Sequence, residues 1–307
     1  MLNSNPAIEW RLLVSSVQGA KHKRIQQSNQ DAYKLRQDPL LTIPLVMAIA
    51  DGHGSARCFR SEVGAERAVD VAVDELHRFH DLHDQSGRLS EVKRMSEELL
   101  PKSMVRNWRE QVKAHLAEAP ISNKEWAQLV EKEGLSAQRE VENNPLLAYG
   151  TTIVAVLVTR SYLLYLQLGD GDILSVSEDY EISRPLPKDE RFIANETASL
   201  SAGMAEINLR LQFQPLLHSP SPPALILLAT DGYANSFRDE ENFIKAGPDF
   251  LKMLRVDGGL EKVRQHLPGW LEEVSTAGSG DDITLGIICR MAAIEGYHER
   301  DRAEKIV

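Results

Sequence analysis

Leu45-Val46-Met47-Ala48-Ile49-Ala50 runs directly into Asp51-Gly52-His53-Gly54. Six apolar residues in a row read as a strand buried on both faces. The run ends on a carboxylate, a glycine, a histidine and a second glycine. Asp-Gly is also a common turn pair, so this stretch alone is equally an ordinary strand-to-turn corner. The same grammar recurs, however. Ala224–Thr230 leads into Asp231-Gly232, and Tyr162–Leu168 leads into Gly169-Asp170-Gly171-Asp172. Gly278-Ser279-Gly280-Asp281-Asp282 opens the apolar run Ile283–Cys289, and Asn29-Gln30-Asp31 follows a strand-like start. Carboxylates at strand ends along the whole chain predict one acidic cluster assembled by the fold. Clustered carboxylates stay ionised together only with cations among them. An all-oxygen ligand set selects hard divalent ions, Mg²⁺ or Mn²⁺.

The chain has 307 residues, long for one domain but enough to bury a sizeable core. Its net charge of −10 argues against nucleic acid, which wants a basic face. The two cysteines, Cys58 and Cys289, read as small buried hydrophobes in a reducing compartment. The N-terminus shows no basic region followed by an apolar one, and no apolar run approaches the ~20 residues of a membrane helix. A soluble, cytoplasmic protein without a membrane partner is expected.

Ile8 to Val17 reads as a strand, followed by a basic loop, Gln18 to Ile25. Phe59 to Leu82 reads as a long helix with an apolar face of Val63, Ala65, Ala68, Val69, Ala72, Val73 and Leu76. Residues 83–145 form a helical insertion. In it, Leu89–Leu100 and Met104–Ala119 are separated at Pro101, and Ser122–Glu125 is a capping box. Trp108 and Trp126 read as core anchors, and no chemistry is read in the insertion. Tyr149–Thr159, Tyr162–Leu168 and Asp172–Ser177 read as a three-stranded antiparallel meander, with Gly150-Thr151-Thr152 taken as plain β-propensity and Asp172 as an exposed turn residue. The proline-rich stretch 184–222 reads as a long flap-like loop. Two helices, Phe243–Leu254 and Gly259–Val274, precede a closing strand, Asp282–Arg290. The tail 291–307 reads as a frayed helix. One domain is expected over 8–290.

Asn29-Gln30-Asp31, Asp51-Gly52-His53-Gly54, Gly150-Thr151-Thr152, Gly169-Asp170, Thr230-Asp231-Gly232 and Gly278 to Thr284 stand in the order of motifs in the metal-dependent Ser/Thr protein phosphatases. The chain thus resembles this family, known as PPM or type 2C, over roughly residues 10–290. Gln30-Asp31 in place of Glu-Asp, and the loose spacing, resemble its divergent bacterial branch.

The resemblance implies an α+β fold, a four-layer αββα sandwich of two antiparallel sheets flanked by helices. It implies two Mn²⁺ or Mg²⁺ ions, with Asp51 bridging them, the Gly52 carbonyl as a ligand, Asp231 and Asp281 holding one ion and Asp31 close by. Asp170 could hold a weak third ion, although the Asp that usually assists it is Asn235 here. His53 would protonate the leaving serine or threonine oxygen while water activated by the ions attacks phosphorus. Most members carry a phosphate-gripping Arg at the position of Gln26. Here His22, Lys23 and Arg24 lie just upstream, and Arg24 is the first candidate for that grip.

The implied partners are a phosphorylated protein and a Ser/Thr kinase system in bacterial signalling. Two other readings stay open: an inactive module that only binds a phosphoprotein, favoured by Gln26, and a small-molecule phosphomonoesterase.

Overall fold

The computed structural model describes residues 9–37, 43–83, 88–189, 198–216 and 222–295. Its first half runs β1 (Trp10–Val17), α1 (Ala20–Ile25), β2 (Asp31–Gln37), β3 (Leu45–Asp51), α2 (Ser61–His83), α3 (Leu89–Glu118) and α4 (Asn123–Asn143). β4 (Ile153–Val158), β5 (Tyr162–Leu168), β6 (Asp172–Val176), β7 (Ile182–Ser183), α5 (Ala205–Asn208) and β8 (Arg210–Pro215) follow. The chain continues with β9 (Leu225–Ala229), α6 (Asp231–Ala234), α7 (Glu240–Ile244), α8 (Ala246–Leu254), α9 (Gly259–Ala277) and β10 (Ile283–Arg290).

Two antiparallel five-stranded sheets form, ordered β1-β10-β9-β6-β7 and β2-β3-β4-β5-β8. Three apolar layers define the stacking. One lies between the second sheet and α2–α4, around Trp108, Leu76 and Tyr149. Another lies between the first sheet and α8–α9, around Phe250, Leu267 and Leu285. The third joins the sheets through Trp10, Met47, Ile49, Val156, Tyr165 and Ile288. Helix, sheet, sheet, helix is the αββα sandwich expected. It also explains the unbroken apolar runs: β3, β4, β5 and β10 face a sheet on one side and helices on the other, so neither face meets water. The sheets pack tightly at Gly286, where an added Cβ would stand 2.3 Å from Met47 Sδ.

Several expectations are corrected. The basic stretch is a helix, α1, not a loop; its first turn docks through Lys21 N–H to the Gly280 carbonyl at 2.8 Å. Helix α3 runs unbroken through Pro101. The capping box at Ser122 and Glu125 forms and opens α4, which kinks at Gly134. β6 does not continue a meander. It leaves β5 and pairs with β9 in the other sheet, because the turn at Gly169, with φ +103°, sends the chain across the sandwich. The flap-like stretch contains α5 and an edge strand, β8, paired with β5. The tail expected as a frayed helix lies outside the described residues from 296 onward, as does Ile8 at the start of the first strand.

Candidate metal centre

Antiparallel alternation brings the carboxylates together. Where a strand ends, its neighbour begins, so the end of β3, the start of β2, the start of β4 and the end of β5 share one edge. In the other sheet the ends of β1 and β9 and the starts of β6 and β10 do the same. The residues predicted as ligands sit at these ends.

Asp31 opens β2 and lies directly across from Asp51, the last residue of β3. Asp170 is exposed in the turn after β5, and Asp231 starts α6 just after β9. Carboxylate oxygens of Asp51, Asp170 and Asp231 lie within 4.8 Å of one another. Asp31 is turned so that Thr230 Oγ1 donates to its Oδ2 at 2.8 Å, while its Oδ1 is buried without a hydrogen-bond partner. Gly52 is buried and bridges to Thr151. Asp281 is not in the three-carboxylate group. Its Oδ1 lies 3.8 Å from His22 Nε2, although its charge still acts on Asp231.

The electrostatics follow from crowding. Burial, assisted by neighbouring charge, lifts Asp31 to about 8 and Asp231 to about 6. Burial and the charges of Asp31 and Asp231 lift Asp51 well above the usual carboxylate range. Without a cation these groups take up protons. An orphaned buried oxygen, three convergent carboxylates and a donor set of oxygen alone fit a hard divalent ion.

His53 is half-buried and fixed by its backbone N–H to the Gly150 carbonyl at 3.0 Å. Burial depresses its imidazole, and the charge of Asp170 works in the opposite direction. Arg24 is exposed in α1, and its Nε donates to Ala20 O of its own helix at 3.2 Å. Lys23 pairs with Glu272 at 2.8 Å.

The supporting residues were under-read in the sequence. Thr151 Oγ1 donates to the Asp51 carbonyl at 2.8 Å, and Thr152 Oγ1 accepts from the Asp51 N–H at 3.1 Å. These hydroxyls hold the backbone of a predicted ligand, which corrects their reading as mere strand formers. Asp282 is buried, and its carboxylate accepts from Gly19 N–H and Gln30 N–H, both at 2.6 Å, with His22 Nδ1 at 2.8 Å. It therefore clips both ends of the α1 segment between two predicted ligands, Asp31 and Asp281. The only signal for this in the sequence was a second Asp beside the first.

Asp172 is buried rather than exposed and pairs with Arg184. Arg184 and Lys188, both engaged by Glu240, wall a cavity of about 460 Å³ that opens beside Asp170 and Asp231.

An αββα sandwich with a carboxylate cluster at one end of its sheets is the architecture of a metal-dependent phosphatase. The chain belongs to the protein phosphatase 2C family, whose sequence profile matches residues 18–272. Curated proteins compared by sequence give no match. Solved structures share the fold. PppA, a regulatory component of the type VI secretion system in Pseudomonas aeruginosa, superposes with a TM-score of 0.53 at 16% identity, over 92% of this chain and 99% of that one. The Mycobacterium tuberculosis serine/threonine phosphatase PstP/Ppp gives 0.52 at 16%, over 92% and 98%. The catalytic domain of PstP in complex with two manganese ions gives 0.51 at 18%, over 91% and 97%.

Proposed function

We propose that the protein removes phosphate from phosphoserine and phosphothreonine in proteins, using two Mn²⁺ or Mg²⁺ ions. The observation that carries this reading is the convergence of Asp51, Asp170 and Asp231 within 4.8 Å, with Asp31 across the strand pair and His53 two residues from Asp51. When bound, the ions lower the pKa of water and offset the charge on the phosphoryl oxygens. Asp51, the Gly52 carbonyl, Asp231 and Asp31 would hold them, Asp170 would offer a weaker third position, and Asp281, which faces His22 here, would join by turning toward Asp231. Thr151 and Thr152 keep Asp51 from shifting. His53 hands a proton to the leaving oxygen of the substrate side chain. Arg24 supplies positive charge toward the phosphate, with Lys23 as the alternative. We place the protein in the cytoplasm, opposing a Ser/Thr kinase in bacterial signalling; among the described residues no helix is long and apolar enough to cross a membrane.

One observation favours the second reading, a module that binds a phosphoprotein without cleaving it. Gln26 stands where most members have a phosphate-gripping Arg, and Arg24, the first candidate to replace it, donates to Ala20 O of its own helix. Hydrolysis of an aryl phosphate with added Mn²⁺ and none after chelation separates the readings. A phosphopeptide panel then separates a protein phosphatase from a small-molecule enzyme. Tight phosphopeptide binding with no turnover in Mn²⁺ would establish the binding module instead.

A further inference from the structure

The helical insertion plays no part in the chemistry above, yet its surface is unusual for this molecule. In a chain of net charge −10, helix α3 carries Lys102, Arg106, Arg109 and Lys113 at spacings of four, three and four residues, which puts them on one helix face. Cations nearer the start of α3 are neutralised, Lys93 by Glu97 at 3.8 Å and Arg94 by Glu98 at 3.1 Å. Lys102, Arg106 and Lys113 are exposed and have no carboxylate partner among the described residues.

Two clefts flank this row. One, of about 520 Å³, lies between α2 and α3 and has Phe79, Leu82, Leu99 and Leu100 in its walls. The other, of about 300 Å³, lies between α3 and α5 and is walled by Val105, Glu110 and Glu206 beside the cations. Lys102 and Arg106 line both, so they form the ridge between them. Nine large hydrophobic side chains are exposed among the described residues. Four of the nine belong here: Leu82 and Leu99 in the first cleft, and Met204 and Ile207 on either side of Glu206 beside the second. Apolar surface gathered around unpaired charge marks a binding face rather than a solvated one.

The face is tied to the metal centre. Arg109 Nη2 donates to the Ala202 carbonyl at 2.6 Å. The segment carrying Ala202 is held by Leu200 N–H on the Thr151 carbonyl at 3.0 Å and by Ser199 Oγ accepting from Thr151 N–H at 3.1 Å. Thr151 in turn holds the Asp51 carbonyl at 2.8 Å. A polypeptide lying on α3 is thus braced against the segment that borders the ligands.

We propose that this face docks an acidic segment of the substrate protein, interspersed with leucine-like side chains and lying outside the phosphorylated residue. The chemistry selects it: cations on the ridge for Asp and Glu, and the apolar walls of the α2–α3 cleft, with exposed Ile207 on α5 and Met204 just before it, for the aliphatic groups. The proposal rests on the phosphatase reading for the word substrate, but its binding step does not.

The probe is a fluorescein-labelled, unphosphorylated peptide of about fifteen Asp, Glu and Leu residues, long enough to cross both clefts at ~3.3 Å per residue. The wild type should bind it by fluorescence polarisation, more weakly as salt rises. The triple variant Lys102→Glu, Arg106→Glu, Lys113→Glu should bind at least about tenfold more weakly, and the milder triple change to Gln should fall between. Appending the same segment to a short phosphoserine peptide should lower KM for the wild type and not for the charge-reversed variant. Turnover of the short peptide and of an aryl phosphate should be equal in the two proteins. Equal peptide affinity in wild type and variant would overturn the proposal. So would binding of phosphatidylserine vesicles without binding of the peptide, which would give the face to a membrane, or a dimer that dissociates on charge reversal. If no phosphorylated compound is turned over in Mn²⁺, the phosphatase reading fails while the polarisation result still decides the docking face.

Discussion

At the scale of single residues, His53 and Asp282 separate chemistry from support. His53→Ala should lose roughly 10²–10⁴-fold on a phosphoserine peptide, whose leaving oxygen must be protonated. It should lose much less on an activated aryl phosphate, which departs as a stable anion. Metal affinity by calorimetry should hardly change; equal losses on both substrates would mean that His53 is not the acid. Asp282→Ala should fail differently. It strips two backbone N–H groups, Gly19 and Gln30, of their acceptor in a buried site. Leaving such donors unsatisfied costs about 1–3 kcal/mol each, so the midpoint of urea unfolding should drop markedly. The predicted ligands were readable because Asp51, Asp170 and Asp231 follow apolar runs and Asp31 and Asp281 stand at the start of strand-like ones. The groups that hold them were not, because Thr151 and Thr152 meet Asp51 from a hundred residues away, and Asp282 meets Gly19 from 263. A local pattern carries no trace of such a partner.

At the scale of elements, the insertion is fastened by a clasp whose behaviour with pH can be stated in advance. Arg60 donates to both oxygens of Glu125, at 2.6 and 3.0 Å, and Glu125 also closes the capping box of α4. The hydrogen bonds from Arg60 hold the Glu125 carboxyl down at about 2. A carboxyl lower in the folded than in the unfolded chain stabilises at pH values above its unfolded pKa, and loses that contribution as pH falls toward the folded value. Between about pH 5 and pH 3 the melting temperature should therefore fall further for the wild type than for Glu125→Gln. The start of α4 was legible because its cap is four adjacent residues. The partner sheet of β6 was not: a buried strand reads alike whichever neighbour it takes, and the deciding feature was a single left-handed turn at Gly169. α1 was misread as a loop because six residues rich in charge show no apolar face; the helix is held by Lys21 on Gly280 and by Ala20 N–H on Ser275 Oγ.

At the scale of the whole molecule, the crowded carboxylates make the stability of the metal-free protein depend on pH. Asp31 at about 8 and Asp231 at about 6 bind protons in the folded state that the unfolded chain has already released. Where the native state holds more protons, stability falls as pH rises. The chelator-treated protein should thus melt at a lower temperature at pH ~8 than at pH ~5, and the gain from added Mn²⁺ should be larger at the higher pH. Equal melting of the metal-free protein at both values would show that the cluster is better solvated than its burial implies. The sandwich itself was legible in outline, since unbroken apolar runs require cover on both faces. Which sheet each strand joins depends on contacts between residues far apart in sequence.

The proposed ligands also have a mechanical meaning. Asp31, Asp51 and Asp170 stand at strand ends of one sheet and Asp231 and Asp281 beside strand ends of the other, and the layers also pack midway along β10, where Met47 meets Gly286. An ion held at the carboxylate end by both sets would act as a rivet between two plates already in contact at their middle. Withdrawing it should slacken only one end. Amide exchange should quicken at Leu168 and Ala229 on chelation while Leu163 and Leu225, at the far ends of the same strands, keep their protection.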